Sequence, residues 1–265
     1  MTPEKFHSKL EACFPFIPTI SQTNWFPEIS KFIFSKEKNN AFLLTGYAGT
    51  GKTTLIGSLV SQLKLTDYKS VLMAPTGRAA KVMSTYSKFS ARTIHKQIYY
   101  PKPETGGKMQ FQLKVNKSRK TIFIIDEASM IGDDRQNAKL FENGSLLHDV
   151  VQYVSKGDQC KLIFVGDPAQ LPPVHLNISP ALDLKELTQF HFDKVFSIQL
   201  DAVVRQAQGS GILHNATLLR NQLNNQLYDS FKFEVSDYND ISYTNNGMDL
   251  FEAIEDSFRD SGTDQ

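Results

Sequence analysis

Short runs of apolar residues alternate with amphipathic segments along most of the chain. Continuous apolar runs, typical of buried strands, fall at residues 41–45, 71–74, 121–125, 162–165 and 194–200. Apolar positions at helical spacing predict helices at residues 52–63, 77–83, 212–223 and 249–259. Strands that alternate with helices favour a mostly parallel sheet with helices on both faces. We therefore expect an α/β fold.

One segment departs from this alternation. Met109, Phe111, Leu113 and Val115 alternate with polar residues, the period of a half-buried strand, and a Thr-Gly-Gly-Lys turn at residues 105–108 precedes them. This pattern predicts a small β-hairpin subdomain at about residues 97–118, inserted into the α/β domain.

The same patterns divide the chain into three parts. We expect an N-terminal helical segment over residues 1–40, an α/β domain over 41–228, and an acidic segment over 229–265. In the last of these, ten acidic residues outnumber two basic ones.

A glycine-rich sequence follows the first predicted strand. Residues 46–53 match the phosphate-loop pattern G-x-x-x-x-G-K-[ST], in which backbone N–H groups and the following helix N-terminus receive phosphate oxygens. Lys52 would reach the β and γ phosphates of ATP, and the Thr53 hydroxyl would ligate Mg²⁺. The sequence therefore predicts a P-loop NTPase, with a nucleotide held by Gly46, Tyr47, Ala48, Gly49, Thr50, Gly51, Lys52, Thr53 and Thr54.

Polar residues follow two of the other predicted strands. Asp126 would hold Mg²⁺, and Glu127 would orient or deprotonate the attacking water, although an Asp-Glu pair also commonly ends a strand at the surface. Gln170 lies in Gly-Asp-Pro-Ala-Gln and could sense the γ-phosphate, or simply belong to a proline-closed polar turn.

Charge is segregated although the chain carries a net charge of only +1. Residues 71–120 contain eleven Lys or Arg and a single acid, a net charge of +10. Such a block is expected for a protein that binds a phosphate backbone, and the alternative is a solvated lysine-rich surface. With no apolar run long enough to span a membrane, no signal-peptide pattern and only Cys13 and Cys160, we expect a cytoplasmic protein without disulfides.

The motifs together resemble those of superfamily 1 DNA helicases of the RecD/Dda type, specifically their first RecA-like domain. The matching blocks are GYAGTGKTT (46–54), APTGRAAKVM (74–83), TIH (93–95), IIDEASM (124–130), GDPAQLPPV (166–174) and VVRQA (203–207). The resemblance implies ATP-driven translocation on single-stranded DNA and duplex unwinding, with 5′ to 3′ polarity.

The resemblance also implies roles for individual residues. Arg205 falls where the family places an arginine that contacts the γ-phosphate, with ordinary salt bridging as the alternative. Gln22 matches an adenine-reading glutamine, although the surrounding match is thin. The residues that would contact DNA are Pro75, Thr76, Arg78, Thr93, His95 and Tyr99.

Two of these DNA contacts have competing explanations. His95 could equally be a packed core or surface histidine. Tyr99 or Tyr100 could stack on a base beside the duplex fork, or pack within the hairpin.

Helicases of this type use a second RecA-like domain that completes the ATP site, in the same chain or on a partner chain. We expect residues 1–265 alone to be catalytically incomplete. Two further functions remain open: a nucleotide-gated DNA-binding module that never unwinds, and a small-molecule P-loop kinase, which would need a substrate pocket in place of the basic block.

Overall fold

Two sheets and a series of helices make up the chain in the computed structural model, which describes residues 1–103, 109–132, 145–190, 192–202, 209–225, 230–244 and 246–261. The strands are β1 (Asn40–Gly46), β2 (Lys69–Ala74), β3 (Ala91–Thr93), β4 (Tyr99–Pro103), β5 (Met109–Leu113), β6 (Thr121–Ile125), β7 (Lys161–Gly166) and β8 (Lys194–Leu200). The helices are α1 (Pro3–Ala12), α2 (Ile20–Phe34), α3 (Lys52–Gln62), α4 (Gly77–Ser87), α5 (Ile94–Ile98), α6 (Leu146–Ser155), α7 (Leu184–Gln189), α8 (Gly211–Asn224) and α9 (Gly247–Ser261).

The larger sheet is parallel, with strand order β3-β2-β6-β7-β1-β8. Its central strands are buried along their whole length, which explains why they form continuous apolar runs in the sequence. The predicted α/β fold with a mostly parallel sheet is confirmed.

The sheet separates two hydrophobic cores. Successive side chains of a strand point to opposite faces, so Phe42 and Leu44 of β1 join one core while Leu43 between them joins the other. The first core contains apolar residues of α1, α2 and α3, including Trp25. The second contains apolar residues of α5, α6 and the hairpin.

The hairpin predicted at residues 97–118 is present as the antiparallel pair β4 and β5, in which Tyr99 is opposite Leu113. Its base is anchored in the second core. Tyr99 donates a 2.6 Å hydrogen bond to the Asp149 carboxylate of α6, and the Asn116 side-chain amide donates to the Tyr153 carbonyl.

The chain divides into two units, Met1–Val203 and Val204–Gln265. This boundary lies earlier than the one expected after residue 228. The reason is that α8 bonds to later residues: the Asn215 amide donates to the Glu234 carbonyl and accepts from the Glu234 N–H, and Ser210 donates to Asp240. The N-terminal segment, in contrast, packs into the first unit through Phe6 and Trp25.

Among the helices of the described residues, none is both long and apolar enough to cross a membrane.

Candidate nucleotide and DNA site

The three polar motifs meet at one edge of the parallel sheet. The phosphate loop follows β1, Asp126 and Glu127 follow β6, and Gln170 follows β7, and these strands are neighbours in the order β6-β7-β1. Because the carboxyl ends of parallel strands lie at the same edge, the side chains converge there. They line a cavity of about 840 Å³ that includes Lys52, Thr53, Asp126, Glu127 and Gln170.

The phosphate loop has a backbone that its glycines make possible. Gly49 and Gly51 have φ values of 78° and 85°, in the region that residues with a Cβ rarely adopt. Gly46 lies so close to its surroundings that a Cβ there would be 2.7 Å from the Thr50 hydroxyl. Gly51 is the N-cap of α3, so the positive end of this helix faces the cavity.

Lys52 extends over the loop at the start of α3. Its ammonium group donates to the carbonyl oxygens of Gly46 and Tyr47 at 2.6 and 3.0 Å. These contacts hold the positive charge of Lys52 at the mouth of the loop. When a nucleotide binds, its phosphate oxygens would replace the two carbonyl oxygens as hydrogen-bond acceptors of the ammonium group.

The two acidic residues, Asp126 and Glu127, lie in different environments. Burial raises the pKa of the Asp126 carboxyl, and the neighbouring Glu127 charge raises it further, while the Glu127 N–H bond and Lys52 act in the opposite direction. Glu127 has a left-handed backbone with φ of 55°, and its N–H donates to Asp126 at 2.9 Å.

These residues fit a magnesium nucleotide. Thr53 is an exposed residue that offers a hydroxyl oxygen, and Asp126 offers a carboxylate oxygen whose charge is costly to bury without a partner. Both residues line the cavity. Hard oxygen ligands of this type suit Mg²⁺, which in nucleotide sites binds one or two carboxylates together with phosphate oxygens.

Gln170 is held by a contact that sequence reasoning missed. Ser129, two residues after Glu127, donates a 2.7 Å hydrogen bond to the Gln170 side-chain oxygen. This bond joins the segment after β6 to the segment after β7. The signal for it was present in the sequence, since Ser129 belongs to the Asp-Glu-Ala-Ser block.

Gln22, predicted to read the adenine base, is buried and hydrogen-bonded within the protein in this structure. The residue is 1% exposed, and its amide oxygen accepts from the Thr19 N–H at 2.9 Å. Its amide nitrogen donates to the Thr50 carbonyl at 2.9 Å. Both ends of the amide are therefore used to cap α2 and to hold the phosphate loop.

The residues predicted to contact DNA lie at the same edge of the sheet, beyond β6. Ala74 of β2 is in register with Thr93 of β3, which brings Pro75 and Thr76 beside Thr93. The Thr76 and Thr93 hydroxyls accept N–H groups as the N-caps of α4 and α5. Arg78 is exposed on the first turn of α4.

The aromatic residues near the predicted DNA contacts differ in their exposure. Tyr99 is 2% exposed and bonded to Asp149, so its ring is not accessible for stacking on a base. Tyr100 is 60% exposed, with the Lys114 ammonium 5.0 Å from its ring centroid. His95 packs against the rings of Tyr99 and Phe111, and burial lowers its pKa.

The basic block does not form a single surface. Arg119 and Lys120 precede β6 at the opposite end of the strand, where they pair with Asp158 and Asp67 at 2.8 Å each. At the phosphate-loop edge lie exposed basic side chains of α4, β3 and α5, which are Arg78, Lys81, Arg92 and Lys96. Arg205, predicted to contact the γ-phosphate, lies outside the described residues.

Comparison with known proteins finds a matching family profile and several helicase relatives. A family profile described as an AAA domain matches residues 33–232. The ATP-dependent DNA helicase dda of Enterobacteria phage T4 is 30% identical over 185 residues, which cover 67% of this chain and 39% of the relative. The ATP-dependent RecD2 DNA helicase of Deinococcus radiodurans is 29% identical over 175 residues, 66% of this chain and 21% of the relative.

Among solved structures, the Pif1 helicase from Candida albicans aligns with 91% of this chain and 54% of its own, at 22% identity and a TM-score of 0.47. The chain thus spans well under half the length of the two helicases it matches in sequence.

Proposed function

The chain belongs to the AAA domain family and to the RecD/Dda type of superfamily 1 helicase domains, and on that premise we propose that it is the ATP-driven motor domain of a DNA helicase. The complete helicase binds and hydrolyses Mg·ATP, translocates on single-stranded DNA and separates duplex strands. The observation that carries the proposal is the convergence of Lys52, Asp126, Glu127 and Gln170 on one cavity.

Each cavity residue has a role that its position supports. Lys52 binds the β and γ phosphates, and Thr53 and Asp126 would hold Mg²⁺, which neutralises phosphate charge when bound. Glu127 orients the attacking water and accepts its proton. Gln170 and Arg205 would contact the γ-phosphate.

The link between Gln170 and Ser129 suggests how hydrolysis is communicated. Gln170 contacts the cavity and is bonded to the segment that carries Glu127. Loss of the γ-phosphate would change the contacts of Gln170 and, through Ser129, the position of the water-activating carboxylate. A contact that differs between the ATP-bound and the ADP-bound state is one way in which a motor protein couples the nucleotide state to movement.

The DNA path runs along the neighbouring part of the same sheet edge. The hydroxyl oxygens of Thr76 and Thr93 each accept a backbone N–H, so their hydroxyl protons can be donated to DNA phosphate oxygens. Pro75 lies next to them, between β2 and α4. Arg78, Lys81, Arg92 and Lys96 provide exposed positive charge there. The hairpin lies beside the path, with Tyr100 rather than Tyr99 available to stack on a base at the duplex fork.

A second RecA-like domain, in the same chain or on a partner chain, is part of this proposal. Two domains that close and open around ATP allow alternate gripping of DNA, and an arginine from the second domain would stabilise the transferring phosphoryl group. Such arginines contribute about 10³ to 10⁵ in rate. The proposed polarity is 5′ to 3′, by resemblance to RecD/Dda-type helicases.

The test separates nucleotide binding from hydrolysis. We expect Lys52→Ala to lose Mg·ATP affinity and Glu127→Gln to retain it while hydrolysis falls by about 100-fold or more. Lys64→Ala is the matched control, because Lys64 is exposed outside the cavity and its removal deletes the same charge. Unchanged ATP affinity in Lys52→Ala would contradict the proposal.

The alternative, a nucleotide-gated DNA-binding module without unwinding, makes a different prediction for strand separation. The complete helicase should separate duplexes with a 5′ single-stranded overhang in an ATP-dependent manner, and should not separate those with a 3′ overhang. Failure to separate either substrate, with ATP-dependent DNA binding intact, would favour the alternative.

A further inference from the structure

Three exposed apolar side chains follow one another along α4 and the turn after it. Val82 is 47% exposed, Tyr86 is 68% exposed and Phe89 is 45% exposed. Val82 and Tyr86 are four residues apart on one helix, so they lie on the same face, one turn apart. Tyr86 and Phe89 both border the nucleotide cavity. We call these three neighbouring residues the α4 stripe.

The packing of α4 within the domain does not explain the stripe. Ala80 and Met83 are the buried apolar residues of this helix, and Met83 belongs to the first hydrophobic core. The helix therefore already has a face that is buried on folding. Apolar side chains that lie side by side on a second, exposed face are typical of a surface that binds a partner.

The turn that carries Phe89 is held by hydrogen bonds. Helix α4 is capped by Lys88, whose backbone is left-handed with φ of 60°. The buried Ser87 hydroxyl accepts the Phe89 N–H at 3.2 Å, and the Ser84 hydroxyl accepts the Ala91 N–H at 2.8 Å. Because the turn is ordered before a partner binds, less conformational freedom is lost on binding.

Basic side chains flank the stripe. Arg78, Lys81 and Lys88 are exposed, two of them on α4 and the third at its cap. Residues 71–103 contain no aspartate or glutamate, so the charge of this segment has a single sign. An apolar centre with a charged rim is typical of a protein interface, and a rim of one sign favours a partner of the opposite sign.

The spacing of the stripe favours a helical peptide over a nucleic acid. Val82, Tyr86 and Phe89 are separated by four and three residues, and amphipathic helices place the side chains that anchor them at the same intervals. Two helices with such rows of side chains can pack along each other. Bases, in contrast, are held by stacking on aromatic rings, and Val82 has no ring.

We propose that the α4 stripe docks an acidic amphipathic helix of a partner protein. The apolar side chains of that helix pack on Val82, Tyr86 and Phe89, and its carboxylates lie beside the three flanking basic residues. This surface does not include the phosphate loop, the Asp-Glu pair or Gln170. Its test is therefore independent of the proposed ATPase activity.

The experiment measures the binding of three probes to the full chain by fluorescence anisotropy. The first is a synthetic helical peptide of about four turns, with Leu at every third or fourth position and Glu between them. The second has Ala in place of Leu at the same charge, and the third is a thymine oligonucleotide of about ten nucleotides. We expect the leucine peptide to bind with a dissociation constant of about 1 mM or lower, more weakly as salt increases, and the alanine peptide at least about tenfold more weakly.

A double variant removes the aromatic side chains without changing the charge. We expect Tyr86→Ala with Phe89→Ala to weaken the leucine peptide by at least about tenfold and to bind the oligonucleotide within about twofold of the unchanged protein. Tyr100→Ala is the matched control, because Tyr100 is 60% exposed outside the stripe, and it should bind the peptide as the unchanged protein does. These exposed side chains contribute little to stability, and denaturant midpoints verify the fold of each variant.

Five results would overturn the inference. Three concern the peptide: no saturable binding of the leucine peptide, equal affinity for the alanine peptide, or unchanged peptide affinity in the double variant. A larger loss of oligonucleotide affinity than of peptide affinity in the double variant would identify a nucleic-acid surface instead. Self-association of the unchanged protein that the double variant abolishes would identify a second copy of this chain as the occupant.

Discussion

The Tyr99 hydroxyl donates a 2.6 Å hydrogen bond to the Asp149 carboxylate, joining the base of the hairpin to α6. Both residues are buried, Asp149 completely. The bond therefore fixes the position of the base of the hairpin relative to α6. The exposed residues of the hairpin project from this fixed base.

Removing this bond should destabilise the domain. We expect Tyr99→Phe to lower the free energy of unfolding by about 1–3 kcal/mol, because a buried carboxylate loses a donor that water cannot replace. Tyr100→Phe removes a hydroxyl from an exposed neighbour and should change stability by less than about 0.5 kcal/mol. Denaturant midpoints of the two variants measure the difference, and equal midpoints would contradict the role of the bond.

The division of the basic block predicts which charges bind DNA. Affinity for single-stranded DNA should fall with salt, with a slope of log K against log salt of about −0.7 per phosphate neutralised. Charge reversal of Arg78 and Arg92 to Glu should make the slope shallower by about 1.4. The matched control is reversal of Arg119 and Lys120 to Glu, since both are paired with acids at the opposite edge of the sheet.

If both double variants changed the salt dependence of DNA affinity equally, the exposed basic residues at the phosphate-loop edge of the sheet would not be the DNA-binding surface. A salt-independent affinity would leave the basic block as solvated surface, the alternative interpretation of its charge.

Lys161 predicts a pH dependence of stability. The residue is 1% exposed, and its ammonium group donates to the carbonyls of Phe32, Ile33 and Ser35, at the end of α2. Burial lowers its pKa from 10.5 to about 8, against the opposing charge of Glu37. Between these two values the unfolded chain binds a proton that the folded chain does not, so the free energy of unfolding rises with pH across that window.

A shift of this size corresponds to roughly 3 kcal/mol. Denaturant unfolding of the unchanged protein and of Lys161→Met, from neutral pH to pH 10, measures it. Above pH 8, the free energy of unfolding of the unchanged protein should increase relative to that of Lys161→Met. A difference that stays constant with pH would contradict the prediction.

The sequence was sufficient to predict the elements that a single local signal defines. The buried strands of the parallel sheet are continuous apolar runs, and the glycines at residues 46, 49 and 51 mark the phosphate loop, so both were predicted within two residues or fewer. The polar motifs could be placed together because the carboxyl ends of parallel strands share an edge.

Features defined by long-range contacts could not be predicted. Strand β3 has only three residues, too few for a periodic signal, and exists through its pairing with β2. The sequence does not show that Tyr99 is bonded to Asp149, fifty positions later, or that Gln22 donates to the Thr50 carbonyl of the phosphate loop. The boundary of the second unit depends in the same way on contacts of α8 with residues that follow it.

The coupling between nucleotide and DNA is the central claim, and one titration tests it most directly. Single-stranded DNA affinity is measured at low salt with and without a non-hydrolysable Mg·ATP analogue, for the unchanged protein and for Lys52→Ala. Allosteric coupling of this kind changes affinity by about 5- to 150-fold. We predict a change of at least about fivefold in the unchanged protein and none in Lys52→Ala. DNA affinity that is the same with and without the analogue in the unchanged protein would contradict the account.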